Sequence, residues 1–410
     1  MTETKPQPLW TKNFTIITVG SAISMLGNAV AGFAISLLVL DYTESTLLYA
    51  VFLAAYTLPQ LLMPLLSGPW LDNFSRRRAI YSLDFLAAAI YTLAFFVLRS
   101  GYFNYPLFLA FSFFIGCLDS VYTVAYESFF PTLISPGNFR RAYSISSLIW
   151  PLSEIMTPVA AIVYENIGLP PLFAFNALAC LTAACFETRI DSRETQVGRN
   201  ARLDRRKYWQ EFKDGLAYVK AERGLAAIIA YFFCCSLVGG SMILFLPYFR
   251  ETPGLGVFFY TLVMGCMVAG RGAGSILHYK LPLPENRKFD IAFCVYILVC
   301  LCEGSLLFWP IPIMCVLAFV EGVLGVTSYN IRLSGTQSYL PNQLRGRFTG
   351  VFTMFNSLGL FLGQLIAGAL SQIMSVRNAV ALLYVFGLAA VFLVMWRNRE
   401  QVKPIYNRNA

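Results

Sequence analysis

Charge is scarce in this chain: of its 410 residues only 13% are Asp, Glu, Lys or Arg, about half the ~25% usual for a soluble domain. Histidine is scarcer still. His278 stands alone, which excludes a His-rich zinc site and an HExxH protease. None of the ten Cys forms a paired CxxC set, and nine lie well inside apolar runs, so they read as small core hydrophobes. The stretch Gly265-Cys-Met-Val-Ala-Gly270-Arg-Gly272 lacks the Lys and the Ser or Thr of a phosphate loop and lies in an apolar run. No nucleotide site and no cofactor are therefore expected. What is abundant is apolar bulk: 57% hydrophobic residues, 35 Phe, 22 Tyr and a mean hydropathy of +0.61. Soluble domains of this length have too little interior for it, so the solvent is lipid.

Runs long enough to span ~30 Å of hydrocarbon recur along the chain. Twelve are expected, at about 14–40, 46–67, 79–98, 105–130, 142–164, 171–187, 224–249, 255–278, 290–308, 311–334, 348–373 and 378–396. The polar start MTETKPQPLWTKN leads into a run too long for a signal-peptide core, so the first span is expected to be retained. Alternate loops differ in charge. Of the 31 Lys and Arg, 26 fall on one side and only Arg99, Arg250 and Arg377 on the other, with Arg271 and Arg332 inside spans. By the positive-inside rule both termini are cytoplasmic in a multi-pass protein of the plasma membrane, here a bacterial inner membrane. The net charge of +9 then answers to anionic lipid and topology, and no nucleic-acid partner is expected. Trp10, Trp70, Trp309 and Trp396 fall at expected water interfaces.

The chain also repeats itself. Gly68 to Asp84 after span two is matched by Gly274 to Asp290 after span eight, and Pro131 to Arg141 by Pro341 to Arg347. Both offsets are about half the chain. The expected organisation is a six-helix bundle over 1–187, a charged cytoplasmic linker over 188–223 and a second six-helix bundle over 224–410, related by an axis normal to the membrane. In the linker, Leu203, Trp209 or Phe212, Leu216 and Val219 share one face, the pattern of an amphipathic surface helix.

Six plus six spans, the basic central loop and the run Gly68-Pro-Trp-Leu-Asp72-Asn-Phe-Ser-Arg76-Arg77-Arg78 resemble the major facilitator superfamily. Gly20 to Gly27 followed by Asp41-Tyr-Thr-Glu-Ser45, the segment PTLISPGNFRRAYS, and Pro341-Asn-Gln-Leu-Arg-Gly-Arg347 resemble its macrolide-efflux, drug:proton antiporter branch. Asn73 and Ser75 depart from the usual loop motif, and span five keeps only Pro158 of the antiporter Gly-Pro pattern. The resemblance implies an all-α membrane protein of twelve transmembrane helices in two pseudo-symmetric bundles. It also implies a cytoplasmic gate of Gly68, Asp72, Arg76, Arg77, Arg78 and Glu127, in which Arg77 and Glu127 join a charge relay.

Ionisable groups inside spans cost roughly 2.5 to 3.5 kcal/mol each at a helix centre, so each needs a partner or a wet cavity. Span five aligns Tyr143, Ser147, Trp150, Glu154 and Thr157 on one stripe, and span four aligns Ser112, Gly116, Asp119, Tyr122 and Tyr126. Span eight carries Tyr260, Met264, Met267, Arg271 and His278, and span ten Glu321, Gly325, Ser328 and Arg332. The four stripes fit one central cavity, as the resemblance also implies. Glu154, Asp119 and Glu321 are the expected proton-coupling acids. Trp150, Tyr122, Tyr126, Met264, Met267, Arg271 and Asn28 are expected to line the cavity. Arg271 can equally be a static partner of Glu154 or Glu321. Glu187 and Asp41 are expected to be solvated at span ends, and Glu303 to reach the outer interface.

The expected function is proton-coupled export of an amphipathic organic compound by a monomer that is not an enzyme, its partners being a small-molecule substrate, the proton and membrane lipid. Two other readings stay open. One is carriage of an organic anion, held by Arg271 and Arg332, or of a lipid; the other is a non-transporting membrane sensor or scaffold.

Overall fold

The structure, a computed structural model, describes residues 8–71, 75–135, 138, 142, 145, 146, 149, 153, 156–191, 213, 216–281 and 283–407. Among the described residues there is no strand, and eleven helical segments are long and apolar enough to cross a membrane. The first half has α1 (Lys12–Thr43), α2 (Thr46–Leu71), α3 (Arg76–Arg99), α4 (Tyr105–Phe129), α5 (Met156–Ile167) and α6 (Pro170–Glu187). The second half has α7 (Arg223–Gly239) running through a 3-10 turn (Gly240–Leu244) into α8 (Phe245–Glu251). After it come α9 (Val257–Lys280), α10 (Lys288–Ser305), α11 (Ile311–Tyr339), α12 (Asn342–Ile373), α13 (Val376–Ala390) and the short α14 (Arg399–Tyr406). Most of the expected fifth span lies outside the described residues, and α5 is its described end. Most of the linker's expected amphipathic helix lies outside them too.

Helix ends follow local chemistry. The Thr11 hydroxyl accepts from the Phe14 N–H at 3.2 Å to start α1, and Asn104 accepts from Leu107 at 3.1 Å to start α4 with Pro106 just inside. Ser75 caps α3 through the Arg78 N–H. Serine at that position, a departure from the superfamily loop pattern, thus has a job of its own. Trp10, Trp309 and Trp396 are exposed, as interface anchors should be.

By packing, the chain divides into two units, Met1–Glu44 with Leu58–Asp204, and Ser45–Thr57 with Arg205–Ala410. In the first unit α6 packs against both α1 and α3. Gly27 permits this: a β-carbon there would collide with Asn176 of α6 and lie 2.7 Å from the Ala179 methyl. In the second unit α9 and α11 pack along Gly270, Gly274 and Gly322, where the backbones approach too closely for a side chain. The start of α2 belongs to this unit through Thr57, whose hydroxyl donates to Gln364 Oε1 of α12 at 3.1 Å. The α14 helix is tucked in as well. Tyr406 is fully buried and its hydroxyl lies 3.0 Å from that of Tyr296.

Candidate functional site

The first unit gathers its polar groups where α1, α3, α4 and α6 meet. From α4, Tyr122 and Tyr126 stack with ring centroids 6.2 Å apart, and both pack on the core formed by Phe14, Ile17, Ala125 and Phe129. The Tyr122 hydroxyl donates to Glu187 Oε1 of α6 at 3.3 Å. Asp84 of α3 accepts from the Ser24 hydroxyl at 3.4 Å and lies within the field of half-buried Asp119. Asn28, half-buried on α1, accepts from Asn176 at 3.4 Å. Of the nominated residues, Asp119, Tyr122 and Tyr126 are therefore together on one helix, and Tyr122 is in direct contact with an acid that the span pattern did not single out.

Glu187 corrects the expectation of a solvated span end: its relative exposure is 0%. The reason is geometric. Glu187 is the last residue of α6, and helical side chains lean back toward the N-terminus, here over the apolar body of its own helix. Gly20 of α1 makes the room, since a β-carbon there would sit 3.2 Å from Glu187 Oε1. Glu303, expected at the outer interface, is likewise only 8% exposed and sits in the last turn of α10. Asp41 is half-buried and accepts from the Tyr164 hydroxyl at 2.6 Å.

The second unit brings a second set together. Glu321 of α11 is 6% exposed, its Oε2 receives no hydrogen bond, and Arg271 of α9 supplies the positive charge acting on it. Glu303 lies within the field of Glu321 and near Tyr384 of α13, whose buried hydroxyl makes no hydrogen bond. The Arg271 guanidinium also reaches Met267 Sδ at 3.5 Å, with Met267 buried and Met264 half-buried on the same helix. His278 Nε2 lies 2.7 Å from Thr327 Oγ1 across the α9/α11 seam. Two turns further along α11 than Gly325, Arg332 is enclosed by rings, its guanidinium carbon 4.3 Å from the centroid of Phe352 and 5.2 Å from those of Phe232 and Tyr329. No carboxylate pairs with it among the described residues.

Of the expected gate, Arg76 donates to the Ser128 carbonyl of α4 at 3.1 Å, and Arg77 donates to the Thr188 carbonyl just past α6. Arg78 and Glu127 are exposed. Gly68 lies within α2, and Asp72 lies outside the described residues, as do Trp150 and Glu154. Among the described residues no set of three His, Cys, Asp or Glu side chains could hold a metal ion.

Comparison with known proteins agrees with this architecture. Residues 4–405 match the family described as transmembrane secretion effector. A major-facilitator-type transporter of Bacillus subtilis is 21% identical over 368 residues, covering 84% of this chain and 83% of the relative. Macrolide efflux protein A of Streptococcus pyogenes is 21% identical over 280 residues, 66% of this chain and 68% of that one. Among solved structures, the nucleoside transporter NupG superposes with a TM-score of 0.71 at 11% identity, covering 94% of this chain and 99% of its own. A peptide transporter of the POT type does so at 0.70 and 12%, covering 98% and 97%.

Proposed function

The chain belongs to the transmembrane secretion effector family of the major facilitator superfamily, and from that premise we propose that it is a secondary exporter of amphipathic organic compounds driven by the proton gradient. The observation that carries this reading is the buried cluster of Glu321, Glu303 and Arg271. A carboxyl with an unpartnered oxygen deep in an apolar bundle, beside a second acid and one cation, is poised to exchange a proton when its distance to the cation changes. Movement during alternating access would supply that change, with Asp119 and Glu154 as the corresponding acids of the first half. In the first unit Tyr122 and Tyr126, and in the second Met264 and Met267, are aromatic and adaptable side chains of the kind that suits a bulky, weakly polar substrate. The streptococcal relative is named for macrolide efflux, which points the substrate class the same way.

The test is transport into proteoliposomes under an imposed pH gradient, with a lipophilic cation and a macrolide as probes. Glu321→Gln is expected to retain binding and substrate exchange and to lose gradient-driven accumulation. Full gradient-driven transport by Glu321→Gln, Asp119→Asn and Glu154→Gln, each tested alone, overturns the coupling assignment. A second reading has one observation in its favour: Arg332, a cation walled by three rings and lacking a carboxylate partner among the described residues, suits an anionic substrate. Loss of binding in Arg332→Gln with unchanged affinity in Glu321→Gln would select it. Placement in the bacterial inner membrane with both termini cytoplasmic, action as a monomer, and a gate of Asp72 with the nearby arginines and Glu127 complete the proposal.

A further inference from the structure

The export reading makes no use of the acids on the scaffold side of the first unit. Asp84 of α3 and Glu187 of α6 are 4% and 0% exposed, and both carboxyls face α1 one turn apart, Asp84 at Ser24 and Glu187 at Gly20. A carboxylate only accepts hydrogen bonds, so two carboxyls can bond to one another only when one carries a proton. The remaining donors do not fill the need. Ser24 serves Asp84 Oδ1 and Tyr122 serves Glu187 Oε1, while Asp84 Oδ2 and Glu187 Oε2 are buried with no hydrogen-bond partner.

Nor, among the described residues, does a cation neutralise the pair. The groups acting on Asp84 are Ser24, Asp119 and Glu187, and on Glu187 they are Asp84 and Tyr122. The other titratable side chains facing this place are Tyr91 of α3, Tyr126 of α4 and Cys180 of α6, and none of them carries positive charge. Arg77, two turns before Asp84 on α3, donates to the Thr188 carbonyl. Asp84, Asp119 and Glu187 do not converge as a metal-ligand set.

We infer that Asp84 and Glu187 form a proton-binding site, holding a single proton shared between Asp84 Oδ2 and Glu187 Oε2 inside the α1, α3, α4 and α6 seam. Gly20 is the built-in complement, because any side chain there would press on the Glu187 carboxyl. Tyr122 connects the pair to α4, so loss of the proton changes what the phenol donates to and reaches the helix that carries Asp119 and Tyr126. The site holds its proton whether or not the protein exports anything. Its test is therefore made on resting protein.

The measurement is infrared titration of the purified full-length protein in lipid nanodiscs, read at the band of a protonated carboxyl. Wild-type protein is expected to show a deuterium-sensitive band that disappears on alkaline titration, one proton per chain coming from this pair and the remainder from the buried acids Glu303 and Glu321 of the second unit. Asp84→Asn and Glu187→Gln keep the shape and supply an amide donor to the surviving carboxylate, so each single variant should release one proton fewer per chain and lose that share of the band, the share that remains in a Glu303→Gln, Glu321→Gln protein. If each variant instead keeps the band of its remaining acid, the two carboxyls are protonated independently and the shared site is wrong. If the wild type lacks that share of the band, and exchanging choline for sodium at fixed pH raises its melting temperature while leaving that of Glu187→Gln unchanged, the occupant is sodium and the inference is also overturned.

Discussion

Replacing Gly270 by Ala isolates what the α9/α11 seam contributes to stability. A methyl at position 270 would collide with the Phe319 carbonyl oxygen, and its next neighbours, the carbonyl carbon and α-carbon of Phe319 at 2.9 and 3.0 Å, are backbone as well. Backbone cannot swing aside as a long side chain can. Relief requires the two helices to part, which also undoes the reciprocal fit of Gly322 against the backbone of Met267 and Arg271. Overpacking a fitted interior costs about 1–3 kcal/mol, whereas Ala in place of a helical Gly gains about 0.5–1 kcal/mol. Gly265, on the same helix, has nothing within 4 Å of an added methyl. Gly265→Ala therefore reports the propensity gain without the collision, and the difference between the two variants is the seam term alone, about 1–3 kcal/mol. At about 1–2 kcal/mol the folded-to-unfolded ratio falls by a factor of roughly 5–30. Reversible unfolding in mixed detergent-lipid bicelles, followed by helical circular dichroism, measures it. A Gly270→Ala protein as stable as Gly265→Ala would refute the claim that the glycines exist to bring these backbones together.

Tyr406→Ala should destabilise the protein by about 3–5 kcal/mol, the range for emptying a buried aromatic site, because the ring is fully buried; Tyr406→Phe should cost only about 1 kcal/mol, the bond to Tyr296, and equal melting temperatures for the two variants would show that α14 is not packed as described. The loop-charge asymmetry predicts that, in a cysteine-depleted background, Tyr102→Cys reacts with an impermeant maleimide from outside intact cells and Glu400→Cys only after permeabilisation; labelling of position 400 in intact cells would invert the proposed topology. Asp191, outside the spans, is hydrogen-bonded and ion-paired to Lys12, which holds its carboxyl below the usual carboxylate range. A depressed acid contributes stability that is present above its unfolded value and lost as the pH falls through its folded one, so the melting curves of wild type and Asp191→Asn should converge on acidification, and curves that stay parallel would show that the pair contributes nothing.

Long apolar runs with capping residues at their ends declare transmembrane helices almost by themselves, because in lipid the backbone has no other way to satisfy its hydrogen bonds. Hence Thr11, Ser75 and Asn104 start helices within a few residues of the expected span limits, whereas the glycines of α9 look alike in sequence although Gly270 and Gly274 meet the backbone of α11 and Gly265 and Gly272 face open space. The α4 stripe was legible too, since 3.6-residue periodicity puts Asp119, Tyr122 and Tyr126 on neighbouring parts of one surface. Periodicity does not say which surface. That depends on which neighbouring helix supplies a partner, and the partner of Tyr122 is Glu187, a residue whose place in sequence suggests water. The same misreading applies to Glu303, and both errors have one cause. Position along a helix is not depth: a side chain in the last turn leans back by about a turn, ~5 Å, and an acid there is buried where its face of the helix meets the bundle, as at Glu187 and Glu303 but not at exposed Glu127. Asp290, in the first turn of α10, obeys the converse: it is exposed and lies 3.7 Å from Lys403. Chain direction makes burial of Glu187 and Glu303 possible, and the helices packed against them decide it, which is why the two acid clusters on which the proposed proton chemistry rests show only in the fold.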